Sequence, residues 1–253
     1  ISSSGKGDQF MNYMDYTYDD QMRMFSEEQA LEGYAWANGW GWAQVVSGVN
    51  TVLTSSTSVA TSNDGFSIDV TFSEAVTGFT QDDLVLSNAV VTGFNGGNGT
   101  SYSFDVEAVV DGEVKVSIAE GSVTGNTSGD SNFASNEIVV IVDRVNPTAG
   151  TLTITNIQDS QYIIQNPDLE LQLDNFYDAT TGIQLYFISV GSSPGGDDIL
   201  PVTSQPISGS IHLNSLGLSD YQQYHVNVYG QDLVGLNSAT VSASFYYFGS
   251  LLG

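Results

Sequence analysis

The stretch Gly65-Phe66-Ser67-Ile68-Asp69-Val70-Thr71-Phe72 decides the fold. Phe66, Ile68, Val70 and Phe72 fall on every second position, with polar residues between them. Successive side chains of an extended strand point to opposite faces, so this run buries one face and wets the other. A helix would need apolar spacings of three and four, which are missing here. Asn63-Asp64-Gly65 ahead of the run supplies the turn that lets the chain enter it.

The same alternation spreads outward. It recurs at Tyr102, Phe104, Val106 and Ala108, at Val114, Val116 and Ile118, and at Ile138, Val140 and Val142. Turns at Asn95 to Gly99 and at Asp111-Gly112 separate these runs. One-sided alternation at short spacing reads as an antiparallel sandwich. Pro147 breaks the pattern, since proline cannot donate to a ladder, and Asp143 to Thr148 is the boundary. Beyond it the style repeats at Leu169, Leu171 and Leu173, at Tyr186, Ile188 and Val190, and at Tyr224, Val226 and Val228. Ser193-Pro194-Gly195-Gly196 marks a turn, and Tyr246, Tyr247 and Phe248 finish the last strand.

Residues 1–50 differ in character. They hold all three Trp residues (Trp36, Trp40, Trp42) and all four Met residues (Met11, Met14, Met22, Met24). Ser26 and Gln29 form a capping box, Ala30, Leu31, Tyr34 and Ala35 follow a helical stripe, and Gly39 ends it. The expectation is therefore a mainly β chain. Two Ig-like or fibronectin III-like sandwiches stand in series at 51–147 and 148–253, behind a short α-containing segment at 1–50.

Charge narrows the partners. The 253 residues include 29 acidic and only 4 basic side chains (Lys6, Arg23, Lys115, Arg144), a net charge of −25. Such a surface repels nucleic acid and anionic membranes and attracts cations. There is no cysteine, so packed cores alone must hold the sandwiches. No apolar run reaches the length of a membrane span. Ile1 to Gly7 lacks the basic and then apolar make-up of a signal peptide. The expectation is that a signal was removed or that the chain begins inside a larger precursor. An extracellular location without disulfides points to a bacterial secreted or cell-surface protein.

Three family resemblances follow. The string Met11-Asn12-Tyr13-Met14-Asp15-Tyr16-Thr17-Tyr18-Asp19-Asp20, with Met24-Phe25-Ser26 and Gln29, resembles the Met-turn region of pappalysin-like metzincin proteases. The resemblance implies that Met14 packs beneath a catalytic zinc and that Tyr16 lies on the substrate side. That family's His-Glu-x-x-His zinc motif is absent from this chain, so the resemblance places zinc only in an upstream part of a parent protein. Val70-Thr71-Phe72-Ser73-Glu74-Ala75-Val76-Thr77-Gly78-Phe79 with Asp82-Asp83-Leu84 resembles a bacterial Ig-like repeat of adhesins and secreted enzymes. Tyr224-His225-Val226-Asn227-Val228-Tyr229-Gly230-Gln231-Asp232 resembles the penultimate strand of a fibronectin type III-like module. That likeness implies a corner role for Tyr224, its ring buried and its hydroxyl bonded to nearby backbone.

The chemistry-bearing residues are few. Calcium needs six to eight hard oxygens, and Asp143 and Asn146 sit at the junction, with Glu74, Asp130 and Asn132 as further candidates. Solvated acidic loops are the alternative. His212 and His225 lie in strand-like surroundings and read as ordinary sandwich histidines rather than zinc ligands. Asp82-Asp83 and Asp197-Asp198 are adjacent, so on a strand they would face opposite ways and make poor glycosidase pairs. The Trp cluster suits packing better than a carbohydrate platform.

The chain as given is therefore expected to be non-catalytic: the C-terminal region of a secreted zinc metalloprotease, acting as spacer or binding modules. Its partners would be an extracellular protein or polysaccharide and its own upstream protease domain. In one alternative the intact parent is an active zinc endopeptidase. In another the chain belongs to an adhesin or fibre protein built of Ig-like repeats.

Overall fold

The computed structural model describes residues 47–249 apart from 58, 98, 159–161 and 165–166. The Met-turn positions Met14 and Tyr16, the helix expected from Ser26 and the three Trp residues lie outside the described residues.

The first sandwich is built from β1 (Thr51–Ser55), β2 (Ala60–Thr61), β3 (Gly65–Phe72), β4 (Val76–Thr77), β5 (Leu84–Ser87), β6 (Ala89–Asn95), β7 (Ser101–Ala108), β8 (Gly112–Ile118), β9 (Thr124–Gly125) and β10 (Ile138–Val142). One sheet runs β1-β3-β7-β6 and the facing sheet β2-β10-β8-β5. Apart from the added edge strand β2, this is the order of a constant-type immunoglobulin sandwich. The deciding stretch is β3, and its residues alternate strictly between exposed and buried. Its Ile68 and Val70 meet Phe104 and Val106 of β7, Val114 and Val116 of β8, and Val140 and Val142 of β10 in one core. Each such side chain taken out of water stabilises the fold by about 1.5–3 kcal/mol. Phe72, Phe79, Phe94 and Tyr102 close one end of the core, with Tyr102 edge-on to Phe79 at 4.9 Å.

The second sandwich comprises β11 (Thr151–Ile154), β12 (Tyr162–Ile164), β13 (Leu169–Asp174), β14 (Ile183–Gly191), β15 (Leu200–Pro206), β16 (Ser210–Leu213), β17 (Gln222–Asp232) and β18 (Val241–Phe248). Its sheets are β11-β13-β16 and β12-β18-β17-β14-β15. Here the fourth long strand, β15, stays beside β14 instead of crossing to the other sheet, as in a fibronectin type III-like sandwich. Its core is separate from the first and gathers Leu169 and Leu171 of β13, Ile188 of β14, Val226 of β17 and Phe245 of β18. In both sandwiches a short early strand pairs in parallel with the last one, β2 with β10 and β12 with β18.

One local expectation is corrected. Asp82-Asp83 are not on a strand: Gln81–Asp83 form a 3-10 turn, and the Asp83 carboxylate accepts a hydrogen bond from the Thr80 amide at 2.8 Å. The sequence Thr80-x-x-Asp83 is itself a capping signal, and Asp is disfavoured in strands.

Candidate functional site at the module junction

The seam between the sandwiches starts where β10 ends. The Asp143 amide donates to Thr61 O at 3.0 Å, which pins this residue to β2. Arg144 then turns back onto the first sandwich: its Nε donates to Asp111 Oδ1 at 2.6 Å and a terminal nitrogen donates to Asp64 at 3.0 Å. Burial works to raise the Asp111 carboxyl, but the Arg144 hydrogen bonds and charge outweigh it and hold the group below its ordinary value. Past Arg144 the chain crosses over. Asn146 Nδ2 donates to Asn237 O at 2.8 Å, and Thr148 exchanges backbone hydrogen bonds with Tyr177.

Two loops of the second sandwich face this crossing. β14 starts opposite the residue where β17 ends, Ile183 against Asp232, so the β13–β14 and β17–β18 loops share one end. Each loop is folded by an aspartate, Asp178 within the β13–β14 loop and Asp232 at the end of β17. Asp178 Oδ1 accepts hydrogen bonds from the amides of Thr180, Thr181 and Gly182 at 2.8–3.0 Å. Gly182 closes that turn at φ 68°, a conformation that suits glycine. Burial pushes the Asp178 carboxyl up, but the three amides, with a hydrogen bond to the Asp143 side chain, outweigh it and leave it below its ordinary value. Asp232 Oδ1 accepts from the amides of Val234 and Leu236 at 3.0 and 2.8 Å. Burial, with the nearby Asp143 charge adding to it, keeps the Asp232 carboxyl above its ordinary value despite those amides.

These loops bring three carboxylates together. Asp143, Asp178 and Asp232 each offer an oxygen, and the three oxygens lie within 4.8 Å of one another. Asp143 is fully buried and Asp232 is 3 % exposed. Thr181 Oγ donates to Asp143 Oδ2 at 2.6 Å, so the first sandwich's aspartate is bonded into the second sandwich's loop. Asp232 Oδ2 is buried and has no hydrogen-bond partner. Both cationic side chains among the described residues are engaged elsewhere, Lys115 with Glu113 and Arg144 with Asp64 and Asp111. Chemically the cluster is an all-oxygen, carboxyl-lined recess assembled from both modules.

The sequence-selected residues divide. Asp143 lies in the recess. Asn146 is close by in sequence, but its amide serves as a tie to Asn237. Glu74 is not at this end. Arg144 bonds to Asp64, just before β3, whereas Glu74 follows the far end of β3, about 25 Å away for an eight-residue strand. There Glu74 accepts from the amides of Thr127 and Ser128 at 2.7 and 3.1 Å. Asp130 belongs to that distant loop too, its carbonyl accepting from the Gly125 amide and its own amide donating to Ser128 Oγ. Asp178 and Asp232 were not selected from the sequence. The signal available for them was an Asp with a Gly a few residues on, Asp178 with Gly182 and Asp232 with Gly235.

Elsewhere, Tyr224 is 3 % exposed and its hydroxyl accepts from the Ser219 amide at 2.7 Å. His212 is exposed, and register places it opposite Glu170, with Nδ1 3.8 Å from Oε1. Asp198 folds its own loop by accepting from Ser192 N and Oγ. Among the described residues no helix is long and apolar enough to cross a membrane.

No family model matches the sequence, and no curated protein matches it. Solved structures similar to the chain include the fibronectin(III)-like modules of CbhA from Clostridium thermocellum (14% identity, 78% of this chain and 94% of that one, TM-score 0.38). They also include the FN1-FN3 domains of chicken CNTN1 (12%, 79% and 69%, 0.34) and the human OSCAR ligand-binding domain (9%, 77% and 97%, 0.35). At these identities and scores none of them carries a function to this chain.

Proposed function

We propose that the chain is a pair of accessory modules of a secreted bacterial protein, a spacer that holds a neighbouring domain at a set distance and direction. One observation carries this reading. Two sandwiches with separate cores are tied across a short connection by hydrogen bonds from both sides, Asn146 to Asn237 and Thr181 to Asp143. A flexible linker would not need such ties, whereas a spacer that transmits orientation does. The Met-turn resemblance at residues 11–34 supports a parent of the metzincin protease class, with its zinc ligands supplied by sequence outside this chain.

Two measurements test this. Small-angle X-ray scattering of the full chain should fit one fixed arrangement of the two sandwiches; a curve requiring a broad range of inter-module angles overturns the spacer reading. The purified chain should hydrolyse no peptide library and retain no stoichiometric zinc, since nothing in its sequence supplies the ligand set that activates a water. One tightly bound zinc per chain, or cleavage abolished by a chelator, would refute the accessory role.

A further inference from the structure

We propose that Asp143, Asp178 and Asp232 bind one calcium ion that fastens the two sandwiches together. The inference goes beyond the spacer reading and does not depend on what the modules are attached to. Its first support is proximity: three carboxylate oxygens from two modules and three chain segments lie within 4.8 Å of one another. Its second is independent. Asp232 is 3 % exposed, and Oδ1 is taken up by two amides of its own loop, while Oδ2 is buried without a partner. Buried polar atoms are nearly always satisfied, and an orphaned carboxylate oxygen beside two other carboxylates asks for a cation.

The donor set selects the ion. The oxygens are hard, and neither cysteine nor histidine is in the group, which disfavours zinc and copper. Loop carboxylates of irregular geometry, completed by water, suit calcium's six to eight ligands better than magnesium's strict octahedron. The carboxylates are also set in place beforehand, because loop amides orient Asp178 and Asp232 and Thr181 orients Asp143. An ion bound there would bond directly to both modules. Its removal leaves three carboxyl groups facing one another across the seam.

The test uses the full chain stripped with a chelator, then followed by equilibrium dialysis against calcium chloride and by thermal unfolding. One calcium per chain is expected at millimolar calcium, with a midpoint raised by several degrees. Magnesium should do less, and sodium chloride at matched ionic strength almost nothing. Asp232→Asn should melt at or above the wild type in chelator, since a buried like charge is gone, yet gain nothing from calcium. Asp197→Asn, an exposed acid outside the cluster, should keep the full response. The proposal is overturned if dialysis finds less than one calcium per chain or if sodium chloride reproduces the shift. It is also overturned if Asp232→Asn keeps the calcium response. Should Asp232→Asn fail to fold, Asp178→Asn, on the half-buried member of the cluster, is read in its place by the same criteria.

Discussion

Tyr224 and Asn132 show what a satisfied polar group does inside these sandwiches. Asn132 is 1 % exposed, yet its side chain donates to Ala119 O and Phe133 O and accepts from the Val123 amide. Tyr224 does similar work in the second module: its ring packs on Phe245 and its hydroxyl takes the Ser219 amide at the entry to β17. Tyr224→Phe keeps the ring and removes the acceptor, leaving that amide unpaired. The second sandwich should lose about 1 kcal/mol, the usual scale for a lost hydrogen bond. Denaturant unfolding checks this, and an unchanged midpoint would show that the Ser219 amide finds another partner. Asp232 stands apart from both residues, because half of its carboxylate is satisfied and half is not.

At the scale of elements, one carboxylate ties the turn after β3 to the loop after β9. Glu74 sits below its ordinary pKa, first through the Ser128 side chain and the Thr127 amide, against a smaller opposing effect of burial. A group whose folded pKa is depressed adds stability that is complete above its unfolded value, about 4.3 for glutamate, and is lost as pH falls through the folded value. Glu74→Gln should therefore melt below the wild type at neutral pH, and the gap should close on acidification below about pH 4. Parallel melting curves across that range would check it, and a gap that widened on acidification would contradict it. This loop also marks how far sequence reading goes. β3, β7, β8, β10, β13, β14 and β17 were legible because their apolar residues alternate, and alternation is local. The short strands β2 and β12 were not, because what defines them is parallel pairing with β10 and β18, a long-range contact. The recess was half legible for the same reason. Asp143 declares itself by closing the last strand at a module boundary. Asp178 and Asp232 reach it only because β14 and β17 are neighbours in a sheet.

For the whole molecule, the separate cores imply separable folding. Residues 51–147 contain every strand of the first sandwich and all of its core except Val49, so that segment alone should unfold cooperatively in a thermal melt. A broad, non-cooperative transition would mean that the second module completes the first. In isolation Asp143 loses Asp178, Asp232 and the Thr181 hydroxyl, so the segment should also show no calcium-specific stabilisation.

The two parallel pairings bear on load. In each sandwich an early strand and the final strand run side by side in the same direction, through Ala60 and Thr61 against Ile141 and Val142, and through 162–164 against Tyr246 to Phe248. Tension that enters a module near its first strands and leaves by its last one drags these partners past each other lengthwise. Their hydrogen bonds then break together rather than peeling one at a time. In the first module the bonds of this ladder include Ile141 N to Val59 O and Asp143 N to Thr61 O. Both modules are thus wired to resist being pulled out end to end, and the last bond of the first grip belongs to Asp143, the residue that also opens the seam.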